Sequence, residues 1–433
     1  MVSPEPSAGP RRGRVRSAMV LLHRWVGLGM AAFLFVAGVT GAVISWDHEL
    51  DEWLNPHLVV APAQAGLAGP ALAPLALARQ AEARHPQVEV TYVPLAVEPG
   101  HSLALFVEPR VNPETGKLYT PGFNQVFVDP ATGEELGRRE WGAVWPISRE
   151  NFVSFLYVLH YSLHLPTWGG IDRWGVWLMG IVALLWALDC FTGLYLTLPA
   201  ATRLQARRQS GPSAAISRAR AWWQRWLPAW KVRWRASAYK VNFDLHRAGS
   251  LWAWGLLLVL AFTAFSLNLY REVFFPAMSW VSDVTPSPSD TRAPAPLDRP
   301  IAPGVPFETI LPVAVQEAGR RGWPEPAGAI GYDRSVGIYT VQFFAPEDEH
   351  GAGGVGPRAL YLDGQDGRVL GAREPWQGTA ADLFVQAQFP VHSGRILGLP
   401  GRVLVSVVGL VVAMLSVTGV IIWWRKRRGR QGR

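Results

Sequence analysis

Four histidines hold equivalent positions in the two halves of the chain, and their chemistry gives the first indication of function. His23 and His246 each lie in a Leu-His-Arg triplet at the start of an apolar stretch, whereas His160 and His392 each precede a later one. Two imidazoles from different helices are what a six-coordinate b-type haem requires, since each ligates one axial position of the iron. We therefore predict two haems b, one held by His23 and His246 and the other by His160 and His392.

Other histidines leave the ligands of the second haem open. His164 follows His160 by one predicted helical turn, so it is a rival ligand or a residue that supports the ligand. When the two halves are aligned, His164 falls opposite Ile396, which favours His160. His48 and His57 are further alternatives.

A simpler interpretation of the Leu-His-Arg triplets is interfacial anchoring, because His and Arg at a helix end can lie among lipid headgroups. Their matched positions in both halves favour ligation. Three further histidines are expected on the surface of soluble regions: His85, His101 and His350.

Four apolar stretches must position the predicted ligands, and each is long enough to cross a bilayer as a helix. One crossing needs about 20 apolar residues, and the predicted spans are 19–46, 173–198, 246–270 and 399–424. Glycines such as Gly27, Gly29 and Gly249 lie beside the histidines, where a flat macrocycle needs a helix surface without bulky side chains. Glycine also serves helix packing, and the pairs Thr192-Gly193 and Thr418-Gly419 are interpreted as helix contacts.

The distribution of charge predicts the orientation of the spans. Basic residues concentrate in the N-terminal segment 1–18, in a Trp-rich loop at 199–245 and in the tail 425–433, which places all three in the cytoplasm. The connections 47–172 and 271–398 carry most of the Asp and Glu and are predicted outside. The net charge of +8 thus reflects membrane topology and does not indicate nucleic-acid binding.

Two residues of the second span bear on redox chemistry. Cys190 is the only cysteine, which excludes internal disulfides, thiolate zinc sites, protein-ligated iron-sulfur clusters and covalent haem attachment through a C-x-x-C-H motif. Asp189 is a carboxylate within an apolar helix, where an ionised group usually faces the bundle interior. It is predicted either to relay protons or to hold a helix contact.

An internal repeat outside the spans defines the soluble regions. Residues 126–140 parallel residues 360–374, and each copy is an apolar strand followed by an Asp-x-x-x-Gly turn and a second strand. A predicted helix precedes each copy, at 75–84 and 307–319, so each region is predicted to be a small α+β domain. Proline-rich linkers are expected at 55–74 and 282–306. The predicted architecture is span, domain, span, repeated as an internal duplication.

Several motifs together resemble a known family. They are Leu-His-Arg-Trp-Val-Gly-Leu from residue 22, Ser-Trp-Asp-His-Glu-Leu from 45, Phe-Val-Asp-Pro-Ala-Thr-Gly-Glu from 127, Val-Leu-His-Tyr-Ser-Leu-His from 158 and Val-His-Ser-Gly-Arg-Ile from 391. From about residue 18 to 428 the chain resembles the PepSY-associated transmembrane family of bacterial iron-regulated membrane proteins.

The resemblance implies a multi-pass protein of the bacterial inner membrane with two periplasmic PepSY-like domains. Similar members act as ferric-siderophore reductases, in which two haems b carry electrons outward. No nucleotide-binding fingerprint is evident, so quinol or a separate cytoplasmic reductase is the expected donor. PepSY domains also occur in proteins without redox chemistry, and the alternative is a non-enzymatic membrane protein that binds a periplasmic peptide, protease or metal complex.

Overall fold

The computed structural model describes residues 11–61, 73–200, 212–348 and 350–431. The chain divides into two compact units, a helical unit within 1–42, 176–269 and 403–433 and a sheet unit within 43–175 and 270–402. The segments predicted at 1–18, 55–74 and 199–245 lie partly outside the described residues. The α-helices of the described chain are α1 Arg11–Ile44, α2 Asp47–Leu54, α3 Pro56–Val59, α4 Pro74–Arg84, α5 Phe152–Ser162, α6 Trp174–Thr197, α7 Pro212–Trp226, α8 Ala238–Asn268, α9 Phe275–Val281, α10 Phe307–Arg320, α11 Ala380–Ser393 and α12 Leu399–Gln431.

Four of the described helices are long and apolar enough to cross a membrane, in the four places that the sequence predicts. They are Arg14–Ile44, Trp174–Thr197, Ala238–Asn268 and Leu399–Gly429. Three of the helices, α1, α8 and α12, extend past their predicted spans at one end, because hydropathy detects only the apolar part of a helix. The third begins at Ala238 instead of 246, so His246 lies inside α8 and not at its start.

The helical unit is closely packed where small residues meet. A Cβ atom on Gly38 of α1 would lie 2.5 Å from the carbonyl oxygen of Gly409 of α12, so no larger residue fits between these backbones. A second contact group joins α6, α8 and α12 around Cys190, Leu257 and Val412. Exact helix contacts of this kind fix the rotation of each helix about its axis, and thereby the direction of its side chains.

The sheet unit contains one antiparallel sheet in which both predicted regions take part. Its order is β4-β3-β2-β1-β5-β6-β7-β8, with β1 paired to β5 at its centre. The fully buried Leu77 of α4 and Ile310 of α10 belong to one core that the strands of both halves share. The strands are β1 Val88–Pro94, β2 Leu103–Pro109, β3 Gln125–Val128, β4 Glu135–Arg139, β5 Ala327–Asp333, β6 Ile338–Phe343, β7 Arg358–Asp363 and β8 Val369–Arg373.

The two halves of the sheet have the same local geometry at the predicted hairpins. The amide of Gly133 donates to the carbonyl of Asp129, and the amide of Gly367 donates to that of Asp363. Both glycines have φ near +75°, a conformation that residues with a side chain rarely adopt. The Asp-x-x-x-Gly turns that the sequence predicts are therefore confirmed.

Candidate functional site

The structure brings His23 of α1 and His246 of α8 together within the helical unit. Their ring centroids lie 6.2 Å apart, with 58° between the ring planes. Both residues are half-buried. Gly27, one turn beyond His23, has no atom within 4 Å of the position that a Cβ would take, so open space adjoins this turn of the helix.

His23 and His246 both use Nδ1 for a hydrogen bond within the protein. Nδ1 of His23 lies 2.9 and 3.0 Å from the two carboxylate oxygens of Asp189. Nδ1 of His246 lies 3.1 Å from the carbonyl oxygen of Leu415 and 3.0 Å from Oγ1 of Thr418. A carbonyl or carboxylate oxygen only accepts, so each Nδ1 donates, and in a neutral imidazole the lone pair then lies on Nε2. This is the tautomer that ligates a metal through Nε2.

Two glycines form flat surfaces against these imidazole rings. A Cβ on Gly193 would lie 3.5 Å from Cε1 of His23, and one on Gly419 would lie 3.1 Å from Cε1 of His246. The preceding Thr192 donates to the Asp189 carboxylate, which accepts from His23, and the preceding Thr418 itself accepts from Nδ1 of His246. The Thr-Gly pairs, interpreted from the sequence as helix contacts, thus also contact the predicted ligands.

A second pair forms in the sheet unit, where His160 of α5 meets His392 of α11. Their ring centroids are also 6.2 Å apart, with 54° between the ring planes. A capping box holds the start of α11, in which Thr379 and Asp382 exchange hydrogen bonds, and Gly394 ends the helix with φ of +75°. These caps fix the length of α11 and with it the position of His392 in the last turn.

The sequence predicts that His164 lies one helical turn beyond His160, but the structure does not place it there. The helix ends at Ser162, and Leu163 and His164 both have positive φ, so the chain reverses direction. The ring of His164 stacks on Phe155 with centroids 4.7 Å apart, and its Nε2 donates to the carbonyl of Phe155 at 2.8 Å. The expected turn spacing is wrong because a left-handed end interrupts the helix, and His164 closes the end of α5.

The other alternative ligands have separate contacts. Nε2 of His57 lies 2.9 Å from a carboxylate oxygen of Glu150. His48 contacts His350, with ring centroids 5.3 Å apart. The structure therefore pairs His160 with His392, and it gives His48 and His57 different neighbours.

Aromatic side chains line the same helix as His160. Tyr157 packs between Trp141 and Tyr161, at centroid distances of 5.6 and 6.1 Å. Burial raises the pKa of Tyr157 and of Tyr161 above the usual value for a phenol. Both hydroxyls consequently remain protonated and uncharged at neutral pH.

The spacing of both histidine pairs fits an axial haem ligand set. An iron–imidazole bond of about 2 Å on each side, with about 1 Å more from nitrogen to ring centroid, separates two opposed imidazoles by about 6 Å. Both observed separations are 6.2 Å. The Nδ1 hydrogen bonds of His23 and His246 and the glycine surfaces beside those rings are of the kind that haem ligation requires.

One Arg of the Leu-His-Arg triplets has a structural role that the sequence did not indicate. Arg247 donates to the buried carboxylate of Asp244 at 3.0 Å and to the carbonyl of Pro228 at 2.9 Å. Arg233 also pairs with Asp244, at 2.7 Å. Arg247 therefore helps to hold the Trp-rich segment against α8. The position of Arg247 in the sequence does not by itself reveal this contact.

Comparison with known proteins places the chain in a family. Residues 20–426 match the family model of the PepSY-associated TM region, which covers most of the chain. A search of curated proteins found no match. The chain, whose described part contains four helices long and apolar enough to cross a membrane and an antiparallel sheet, belongs to the PepSY-associated transmembrane family.

Proposed function

We propose that this protein is a di-haem oxidoreductase of the bacterial inner membrane, which takes electrons from quinol or a cytoplasmic reductase and reduces ferric siderophore in the periplasm, releasing Fe(II). The observation that carries the proposal is the equal spacing of the two histidine pairs, at 6.2 Å between ring centroids in each. Two pairs with the separation of opposed axial ligands favour two haems over incidental contacts between histidines.

Four histidines would hold the haems. His23 and His246 would hold the inner one, and His160 and His392 the outer one. When bound, each haem would alternate between Fe(III) and Fe(II) and so pass on one electron at a time. Asp189, Leu415 and Thr418 would orient the inner imidazoles by accepting from Nδ1.

The distribution of basic residues supports an outward direction of transfer. By the positive-inside rule both termini and the loop 199–245 are cytoplasmic, which puts His23 and His246 on the cytoplasmic side. The regions 47–172 and 271–398 would then be two periplasmic PepSY-like domains that arose, with their spans, by duplication. The matched hairpins at Asp129 and Asp363 support this origin.

Ferric siderophore is proposed as acceptor on chemical grounds together with the family. A siderophore binds iron as Fe(III) through hard oxygen ligands, and one-electron reduction to Fe(II) weakens that hold. Reduction in the periplasm would release the metal where cytoplasmic cofactors do not reach.

A single-turnover reaction tests this function. The purified protein is reduced with a stoichiometric amount of dithionite under anaerobic conditions and mixed with a ferric trihydroxamate chelate in the presence of ferrozine. We expect haem reoxidation and the Fe(II)–ferrozine colour to appear together, with one Fe(II) for each haem oxidised. A His57→Ala variant is the matched control, because His57 is a histidine of the sheet unit outside both pairs. Haem that stays reduced in the presence of the chelate would contradict the proposed reaction.

A further inference from the structure

A third pair of histidines lies in the sheet unit and has no part in the proposed haem ligation. His48 is in the first turn of α2, and His350 lies in the loop between β6 and β7. Their ring centroids are 5.3 Å apart, with 53° between the ring planes. His48 is exposed and His350 is half-buried, so the pair can be reached from solvent.

The elements that carry this pair both contact Arg395, which follows His392 by three residues. The carboxylate of Asp47, next to His48, lies 3.6 Å from a guanidinium nitrogen of Arg395. A Cβ on Gly354, in the loop of His350, would lie 2.5 Å from Cβ of Arg395. The third pair is thus attached to the same turn of chain as the predicted outer haem ligand.

The ring centroids of the third pair are closer together than those of the other two pairs, 5.3 Å against 6.2 Å. Opposed axial imidazoles have centroids about 6 Å apart, whereas two imidazoles on adjacent positions of one tetrahedral ion have centroids about 5 Å apart. The observed 5.3 Å matches the second arrangement. The pair therefore has the separation of two ligands on one side of a metal ion, which leaves the other side open.

The chemistry of imidazole indicates which metal such a pair would take. Neutral imidazole is a borderline ligand that suits Fe(II) and Zn(II), whereas the oxygens of a chelator suit Fe(III). Among the described residues no group of three His, Cys, Asp or Glu has the geometry to hold a metal ion. His48 and His350 would supply two ligands to such an ion, and water or chelator oxygens can fill other positions.

We propose that His48 and His350 form a receiving site for the Fe(II) produced by the reductase. This inference rests on the proposed function. One electron from the outer end of the relay converts chelated Fe(III) to chelated Fe(II) with no bond broken. Two chelator oxygens then leave the Fe(II), each taking a proton from water, and Nε2 or Nδ1 of the two imidazoles takes their places. The pair would thereby promote separation of iron from its chelator at the point of reduction.

Metal titration of the full-length, haem-loaded protein tests the site. The protein carries no polyhistidine tag, and the probes are Zn(II), which is redox-inert, and Fe(II) under anaerobic conditions, each followed by calorimetry. We expect His48→Ala and His350→Ala each to weaken binding by at least about 10- to 100-fold, which is the effect of removing even an outer-shell partner of a metal ligand. His57→Ala, in the same unit and paired with Glu150, should bind as the wild type does.

The outcomes separate this inference from the proposed function. Haem content and the reduced spectrum are recorded for every variant, and they should remain unchanged because neither His48 nor His350 belongs to a haem pair. Absence of saturable binding to the wild type, or wild-type affinity in either alanine variant, would overturn the receiving site and leave the reductase intact. Tight metal binding at this pair in a protein that lacks haem would overturn the reductase, and with it the assignment of the bound ion as a reduction product.

Discussion

Replacement of Asp189 by Asn is expected to change the redox potential of one haem and leave the other unaffected. The carboxylate accepts from Nδ1 of His23 at 2.9 Å, while the equivalent acceptors for His246 are the neutral Leu415 carbonyl and Thr418 hydroxyl. Asn preserves the shape and an acceptor oxygen and removes the charge. The variant therefore isolates the electrostatic contribution of the carboxylate to the inner ligand set.

The size of the effect follows from the difference between two kinds of hydrogen bond. A bond to a charged group contributes about 1.5–3 kcal/mol and a neutral one about 1 kcal/mol, so the substitution weakens the contact by about 1 kcal/mol. The oxidised iron centre carries the larger positive charge and loses more of this stabilisation. Since about 1.4 kcal/mol corresponds to 59 mV for one electron, the potential of the inner haem should rise, by at most about 40 mV.

Spectroelectrochemical titration of the purified variant measures this shift, and the outer haem is the internal control. Two components should be resolved, of which one moves upward in Asp189→Asn and the other stays within error of the wild type. A potential that is unchanged, or a downward shift, would refute the role of the Asp189 carboxylate in charge stabilisation. Equal shifts in both components would refute the assignment of Asp189 to one ligand pair.

Three further substitutions have distinct expected outcomes. His164→Ala should retain both haems and lower the free energy of unfolding by about 1–3 kcal/mol, through loss of a hydrogen bond and a ring stack. Thermal denaturation measures the change in stability. Loss of a haem in this variant would contradict the structural role of His164. Gly419→Val should lose the inner haem only, because a Cβ there already lies 3.1 Å from the His246 ring, and a full haem content would contradict the packing. A backbone hydrogen bond from Gln365 lowers the pKa of Asp363 below 3.8 despite its burial. The contribution of the Asp363 carboxylate to stability is therefore present above that pH and is lost as the pH falls through the folded-state pKa. Asp363→Asn should flatten the acid end of the plot of unfolding free energy against pH. An unchanged plot would argue against this role of Asp363.

Much of the architecture follows from local sequence patterns. Four apolar stretches predict four spanning helices, because the length of an apolar run is by itself a strong signal. The hairpins at Asp129 and Asp363 are predictable as well, since a carboxylate that accepts from the next amides and a glycine at positive φ are local requirements. The two histidine pairs were predicted from matched positions in the halves of the chain, and the structure brings each pair together.

Features that depend on distant contacts were not predictable in the same way. The pairing of β1 with β5 joins strands far apart in the chain, and no local pattern specifies which edge meets which. The reversal at Leu163 places non-glycine residues at positive φ, so nothing in the sequence marked the end of α5 before His164. The contact between Asp189 and His23 depends on the relative rotation of α1 and α6, which apolar composition does not determine.

The most direct test of the central claim is the number of haems b for each chain. A pyridine haemochrome assay on detergent-purified protein, expressed with ample haem, should give two for the wild type and for His57→Ala. It should give one fewer for His23→Ala and likewise for His392→Ala, each of which removes a ligand from a different pair. A well-folded wild-type protein without haem would contradict the account and favour a PepSY protein that binds a periplasmic partner without electron transfer.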